Sequence, residues 1–560
     1  MSQALVARVV RTLFDQDDYQ VVAARTSDNQ EVVLTGRSLR WGAEGFLAAE
    51  GRFTQHPRYG RRFEVAQASA LSLEALLHDP RFRQIVEESL VSALEMLYEA
   101  GHTAYPLEQL AQQSFSEKSL LRHLKNPLVT HRPPLVGLTR AYETELRLTR
   151  LLQRRGRGLS LLPPQGHRLS QSQARIFQVF TQGNLATLTG GPGTGKSFTV
   201  ASLLQSPTLQ GKKVALAAPT GKAAKRLEEL AGRPALTVHR LLGVYLDQEG
   251  QQHFRHHGGN PLEAHLVVVD ESSMLDVPTF YALIAAISPF TLLLLVGDPY
   301  QLPPVGPGEP FADSLGVLPG VHLTEVRRQG QDSPIVRAAR LILEGHEPLV
   351  NDPENRYRLY LYEARAEEIA AWSVRLYLEA RKRFGQVALL TATNTGPLGV
   401  LNLNRILQNH LNPSGPGVTV GGGLLARLGD PLVMTRNDYL LELMNGEILT
   451  VTHVDTATPA LGLEASDGRT FRVEGGSLGY LLHAYAMSVH RSQGSEWPVV
   501  IIALHEYQEN LLSRELLYTA LTRSKERAYI FTTPKALYQC RSTRAGSRQT
   551  WLKLPQLWGE

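Results

Sequence analysis

Apolar and polar positions change their period twice along this chain. Over residues 1–70 they alternate in short runs broken by Gly, Asp and Pro, as in Tyr19, Gln20, Val21, Val22 and in Arg62, Phe63, Glu64, Val65. Period-two alternation between turn residues predicts short half-buried strands, and so a small β-barrel. Over residues 71–155 the spacing lengthens to that of a helix, at Leu73, Leu76 and Leu77 and at Ile85, Leu90, Ala93, Leu94 and Leu97. Residues 128–130 and 135–138 flank Pro133 and Pro134 like the arms of a hairpin, and helices with a hairpin predict a winged-helix-like module. From about 156 onward, apolar runs of strand length alternate with amphipathic helices, the α/β pattern of a parallel sheet covered on both faces.

A chain of 560 residues has ample core for several domains. Its net charge of +5 and pI near 9.1 fit a polyanionic partner. The single cysteine, Cys540, allows no internal disulfide, the opening MSQALVARVV lacks a signal-peptide core, and no apolar run reaches membrane length. The expectation is a cytoplasmic protein without a membrane partner. Residues 140–168 hold seven arginines against two glutamates, read as a solvated helix and linker or as a nucleic-acid contact.

Candidate chemistry starts at residues 190–197, GGPGTGKS, between the apolar run 185–188 and the helical run 198–204. Strand, glycine-rich turn and helix in that order make a phosphate-binding loop. Its backbone N–H groups curl around phosphate oxygens, Lys196 reaches the β and γ phosphates, and the Ser197 hydroxyl suits Mg²⁺. The expected cofactors are ATP and Mg²⁺, with Gly191, Pro192, Gly193, Thr194, Gly195, Lys196, Ser197 and Phe198 around the nucleotide.

A second buried run, 266–269, ends in Asp270 and Glu271. Beside a phosphate loop, Asp270 would hold Mg²⁺ through water and Glu271 would polarise the attacking water. An acidic helix cap before Ser272 and Ser273 is the alternative. The run 291–296 leads into GDPYQLPPV, where Gln301, fixed by prolines, could sense the γ phosphate. Gln173, ahead of the first strand, carries the donor and acceptor that would read adenine.

With residues 218–224 (APTGKAA) and 237–240 (TVHR), these form an ordered series that resembles superfamily 1 DNA helicases of the RecD-like group. The resemblance continues through 324–329 (TEVRRQ), 391–408, 483–498 (HAYAMSVHRSQGSEWP) and 516–525 (LLYTALTRSK). It implies two RecA-like motor domains, 156–330 and 331–535, that clamp ATP between them. Arg328 and Arg523 would act on the phosphoryl group as the cleft closes, with Gly494 and Glu496 also on the nucleotide. Taken alone, either arginine could be a surface ion-pair residue.

By the same resemblance Pro219, Thr220, His239, Arg240, Asn394, His490 and Gln493 line a channel for single-stranded DNA; the two histidines could instead be packed and hydrogen-bonded. Trp497 reads as core. Residues 243–262 look like a wedge hairpin and 428–479 like an SH3-like barrel. The segment 536–560 is a tail without assignment. The N-terminal part, with HPRYGRRF at 56–63, resembles the OB-like domain of the longer stand-alone members, although most of a helix-hairpin-helix region is lacking, which places processivity in doubt. The resemblance implies a monomeric ATP-dependent helicase moving 5′ to 3′ on single strands and acting at junctions with duplex in repair or recombination. A DNA-stimulated remodelling ATPase and a nucleotide-switched strand clamp are the alternatives.

Overall fold

The strands with continuous apolar sequence lie at the centre of two parallel sheets. In a computed structural model, the described residues are 3–16, 19–26, 31–37, 39, 46–56, 60–70, 90–108, 128–154, 156–166, 169–247, 252–325, 333–348, 358–363, 365–436, 438, 441, 443, 445–465, 468–545 and 548–558. The first sheet has the order Ala235–Thr237, Val214–Ala218, Leu266–Val269, Leu292–Gly297, Leu185–Gly190, Gly320–Leu323, with every pairing parallel. Alternate side chains feed two cores. Ala186, Leu188, Val268 and Leu294 pack with Phe177, Phe180 and Leu203, whereas Leu185, Val267, Leu293 and Leu295 pack with Phe280, Leu283 and Phe311. Loss of water contact on both faces is why these runs show no alternation.

The second sheet has the order Arg358–Glu363, Ser524–Thr532, Trp497–Ala503, Val387–Thr391, Ala486–Ser488, again all parallel. Helices Pro334–Glu344 and Arg514–Leu521 cover one face, and Ala366–Phe384 and Val400–Leu411 the other. An antiparallel five-stranded sheet interrupts it, ordered Thr470–Glu474, Ala460–Ala465, Ile448–Asp455, Pro431–Met434, Leu481–His483. Asp430, at the insertion's entry, accepts from His483 at its exit (3.0 Å) and from Asn412 (2.7 Å) and Tyr485 (2.7 Å). These bonds to the carboxylate offset its burial and hold it down at about 2.

Residues 3–70 close into a barrel ordered Gln3–Gln16, Tyr19–Thr26, Glu31–Arg37, Gly60–Ala70, Phe46–His56. In the following module the helix Leu90–Glu99 and the hairpin Val129–Arg132 with Leu135–Leu138 form as expected, and the helix Thr139–Gln153 follows. The helical positions Leu73, Leu76, Leu77 and Ile85 lie outside the described residues. The expected wedge segment pairs Val244–Leu246 with Gln252–Phe254 antiparallel, its tip outside the described residues. The C-terminal residues are not a loose tail: Trp551, Leu552, Leu554 and Leu557 are buried in the core shared by the 90–153 module and the first sheet.

Candidate nucleotide and strand site

The glycine-rich loop takes its shape from left-handed Gly193 (φ 72°) and Gly195 (φ 87°), backbone that side-chain-bearing residues avoid. Gly195 caps the helix Lys196–Leu204, so the helix N-terminus opens into the loop. Lys196 Nζ donates to the carbonyls of Gly190 (2.6 Å) and Gly191 (3.1 Å), which places the ammonium in the loop's mouth. Thr194 Oγ1 donates to Gly191 O at 2.9 Å. Ser197 sits on the first turn, and Phe198 is 47% exposed beside it.

Gln173 lies behind this loop, 1% exposed. Its Oε1 accepts from Ser170 N at 3.0 Å, but its Nε2 has no partner and lies 2.6 Å from where a Gly195 Cβ would stand. A buried amide donor left unpaired is costly, and a ligand's acceptor would satisfy it.

Asp270 follows the strand Leu266–Val269, buried deeply enough to push its carboxyl up to about 6, with the Glu271 carboxylate adding to the rise. Glu271 is the one described non-glycine residue with positive φ, at 52°. Such backbone costs about 1 kcal/mol or more and recurs where a site needs a side chain aimed. Gln301 Nε2 stands 3.5 Å from Glu271 Oε2, and Gln301 Oε1 is buried without a partner. Next to them Asp298, also raised by burial, faces the Lys196 charge and accepts from Tyr518 Oη at 2.6 Å. The donor set fits a hydrated Mg²⁺: a buried carboxylate at Asp270, beside Lys196, and a hydroxyl at Ser197.

The second sheet meets this loop directly. A Cβ at Gly191 would lie 3.3 Å from the Tyr518 hydroxyl, and Leu302 N donates to Thr519 Oγ1 at 3.0 Å. Arg523 is buried at 3% exposure, and each nitrogen of its guanidinium donates within its own domain: Nε to Thr519 O (3.0 Å), Nη1 to Ser495 O (3.3 Å), Nη2 to Thr522 Oγ1 (3.1 Å). Glu496 pairs with Arg226 across the seam at 2.7 Å. Burial opposes the Arg226 charge, yet Glu496, Glu271 and Asp270 together hold it above its ordinary value. Gly494 (φ 71°) is pressed against Thr220 and Ala223, its Cβ position 3.3 and 3.1 Å from them. Arg328 lies outside the described residues.

Of the expected strand contacts, Pro219 and Thr220 lead into the helix Gly221–Ala231, which Thr220 caps through Ala223 N (3.3 Å). His239 is pushed down by burial and lies 6.0 Å, ring to ring, from Phe254 of the hairpin, with half-buried Arg240 next to it. Asn394 is exposed on the loop after Val387–Thr391. His490 is pushed down to about 4, by burial and then by Arg548 and Arg491. Gln493 is buried and donates to Leu302 O at 3.1 Å, so it faces the other domain rather than an open channel. The structure therefore joins 219–220 to 493–496 along one seam.

Sequence reasoning missed four seam residues: Asp298, Tyr518, Arg226 and Lys222. Lys222 Nζ lies over the Trp497 ring at 4.2 Å, and burial, then Lys525, Arg523 and Arg226, push it down to about 8. The signal available was spacing, since Lys222 and Arg226 are four apart on one helix and share a face.

Family models match three stretches: an OB-fold domain of the ATP-dependent DNA helicase YrrC over residues 2–71, an AAA domain over 168–362, and a UvrD-like helicase C-terminal domain over 483–531. An ATP-dependent RecD2 DNA helicase of Deinococcus radiodurans is 41% identical over 361 residues, 64% of this chain and 48% of that protein. The chain thus spans about half the length of that relative. The RecBCD enzyme subunit RecD of Mycolicibacterium smegmatis is 35% identical over 407 residues, covering 64% of this chain and 70% of the subunit. Among solved structures, Bacteroides Pif1 bound to single-stranded DNA aligns with a TM-score of 0.40 at 19% identity, over 65% of this chain and 92% of that one. Glycine-rich loop, paired carboxylates and a second sheet seated against them coincide with the matched stretches, and the chain belongs to the RecD-like family of superfamily 1B helicases.

Proposed function

We propose that this chain is an ATP- and Mg²⁺-dependent DNA helicase that moves 5′ to 3′ along single-stranded DNA and separates duplex ahead of it. The observation that carries the reading is the convergence of Lys196, Asp270, Glu271 and Gln301 on one loop, with Tyr518, Glu496 and Arg523 at the same seam from the other sheet. Lys196 neutralises the β and γ phosphates, Glu271 orients the attacking water, and Gln301 reports on the γ phosphate. Gly191, Pro192, Gly193 and Thr194 wrap the phosphates, Gln173 reads the base, and Gly494 bears on the nucleotide. Ser197 and Asp270 would hold Mg²⁺, which supplies charge neutralisation when bound. Arg523, and Arg328 with it, then complete the site as the sheets close. Hydrolysis is in this way tied to relative movement of two motor domains, 156–330 and 331–535.

Pro219, Thr220, His239, Arg240, Asn394 and His490 contact the strand, chiefly its phosphates, so binding has little sequence preference, whereas Gln493 serves the seam between the domains. The hairpin at 243–262 acts as the wedge, and the insertion at 428–479 is an SH3-like grip on the strand. Residues 1–70 form the OB-like and 71–155 the winged-helix-like module. The protein works as a monomer at junctions of single strand and duplex, in repair or recombination in the cytoplasm. No helix among the described residues is long and apolar enough to cross a membrane. Strand displacement on 5′-tailed and 3′-tailed duplexes, with ATPase followed in the same preparation, tests the reading. Unwinding of 5′-tailed duplex alone is expected. ATPase without displacement makes it a remodeller of protein–DNA complexes; strand binding without stimulated turnover makes it a nucleotide-switched clamp.

A further inference from the structure

After the helix Pro534–Ser542 the chain leaves the second sheet and returns to the first. Thr543 O still accepts from Arg514 N of the second domain at 2.9 Å, whereas Arg548, five residues on, is seated in the first. Five extended residues reach no more than about 18 Å. Beyond Arg548 the segment is fastened again. Gln549 O accepts from Thr103 N (2.9 Å), Leu552 N donates to Glu145 Oε2 (2.7 Å), and Trp551 packs edge-on to Tyr142 with ring centres 5.1 Å apart.

Arg548 meets residues 303–308, PPVGPG, in which Pro303, Pro304 and Pro307 have no N–H. Such a loop is rich in carbonyls and poor in donors, so its acceptors must be satisfied from outside. Nη1 of Arg548 donates to Gly306 O and, at 3.2 Å, to Gly308 O, while Nη2 donates to Pro304 O. A planar fork suits this three-carbonyl task as a lysine ammonium does not. Glycines make the socket: a Cβ at Gly101 would come within 2.5 Å of Arg548 Cζ, and one at Gly306 within 2.0 Å of Asp276 Oδ2. The loop starts two residues after Gln301, and the second domain holds it at Leu302 through Thr519 (3.0 Å) and Gln493 (3.1 Å).

We propose that Thr543 on the second domain and residues 548–558 on the first tie the two sheet domains together, and that Arg548 is a positioning residue that sets Gln301 against Glu271. Movement of the second domain pulls on Thr543 and on Leu302 together, so it reaches the loop that carries Gln301 from both anchors. The inference rests on the reading of Gln301 as the γ-phosphate reporter.

ATPase of the full chain at saturating single-stranded DNA tests it with Arg548→Ala, Gln301→Ala and the double variant. Arg548→Ala is expected to lower kcat by about tenfold or more, with KM for ATP within about threefold of wild type. The double variant is expected to turn over no more slowly than Gln301→Ala alone, because both changes remove one effect. Wild-type kcat in Arg548→Ala, or losses that multiply in the double variant, overturns the proposal. If Arg548→Ala does not fold, Arg548→Lys and a six-residue Gly/Ser insertion after Thr543 replace it. Reduced kcat at unchanged ATP affinity is expected from both, and wild-type turnover in either overturns it. Absence of DNA-stimulated ATPase from the wild-type protein would sink the functional reading itself, before any variant is compared.

Discussion

The two sheet domains bring opposite states of readiness to their shared seam. On the first, polar atoms stand unpaired: Gln173 Nε2 and Gln301 Oε1 are buried without partners, and Glu271 is held in left-handed backbone. On the second, Arg523 has every nitrogen of its guanidinium bonded within its own domain. Unpaired buried groups favour a ligand that satisfies them, whereas a guanidinium bonded at every nitrogen must break bonds before it can turn to one. On the proposed function, nucleotide binding rests on the first domain and hydrolysis waits on release of Arg523 in the second. A low ATPase rate without DNA follows from this asymmetry, with the strand lifting it by favouring the closed arrangement.

The largest expected effect comes from Lys196→Ala, which removes the ammonium held at the Gly190 and Gly191 carbonyls of the loop. ATP turnover and unwinding should be abolished while nucleotide-free strand binding survives, as measured by ATPase and by fluorescence anisotropy on labelled oligonucleotide. Near-wild-type ATPase in the folded variant would break the comparison at its root. Glu271→Gln should separate the two functions of the first domain. Its amide keeps the shape that positions ligands but loses the base, so ATP affinity is retained and hydrolysis lost. Parallel loss of both would make Glu271 structural or a metal ligand.

Arg523→Ala tests the second domain and should lower kcat by about a thousandfold or more, the scale of an arginine finger, with a smaller change in ATP affinity. Normal turnover at saturating DNA would mean that Arg523 stays with Thr519, Ser495 and Thr522 throughout the cycle. Thr522→Val sharpens the point, since it removes the Nη2 acceptor at 3.1 Å without changing the side chain's volume much. One lost bond of about 1 kcal/mol loosens the arginine by about fivefold, so ATPase without DNA should rise by a few-fold. An unchanged or lower basal rate would show that these bonds do not restrain it.

The same asymmetry decided what could be read from the sequence. Strands such as Leu185–Gly190 and Leu292–Gly297 were legible because burial on both faces leaves an unbroken apolar run. The phosphate loop was legible because its chemistry is local, eight consecutive residues with glycines where φ is positive. Arg226 with Glu496 was not, because an ion pair between domains leaves no periodicity or spacing in either segment. Gln493 was expected on the strand, yet its donor goes to the Leu302 carbonyl, and any residue can offer a carbonyl. Arg548 was hidden for the same reason, 244 residues from the Pro304 carbonyl it satisfies. The strands of residues 1–70 were legible from their alternation, whereas their closure depends on Glu31–Arg37 pairing with Gly60–Ala70 across an intervening strand.

The smallest expected effect concerns the cations crowded at the seam. Lys222 is held at about 8 by burial and by Lys525, Arg523 and Arg226, below its ordinary 10.5. With the folded value lower than the unfolded one, the unfolded chain binds more protons between about pH 8 and 10.5, so stability rises with pH through that window. Below it the folded protein carries the full cost of the buried charge, only partly offset by the Trp497 ring at 4.2 Å. Lys222→Met keeps the length and apolar stem, so the unfolding transition at pH 7 should move up by a few degrees and lose its rise above pH 8. A polyanion bound at the seam relieves the same repulsion in wild type. Nucleotide or oligonucleotide should therefore stabilise wild type more than the variant in thermal melts. A variant that melts lower at pH 7 would show that the Lys222 charge holds the seam together rather than straining it, and would place the readiness of this site in both domains alike.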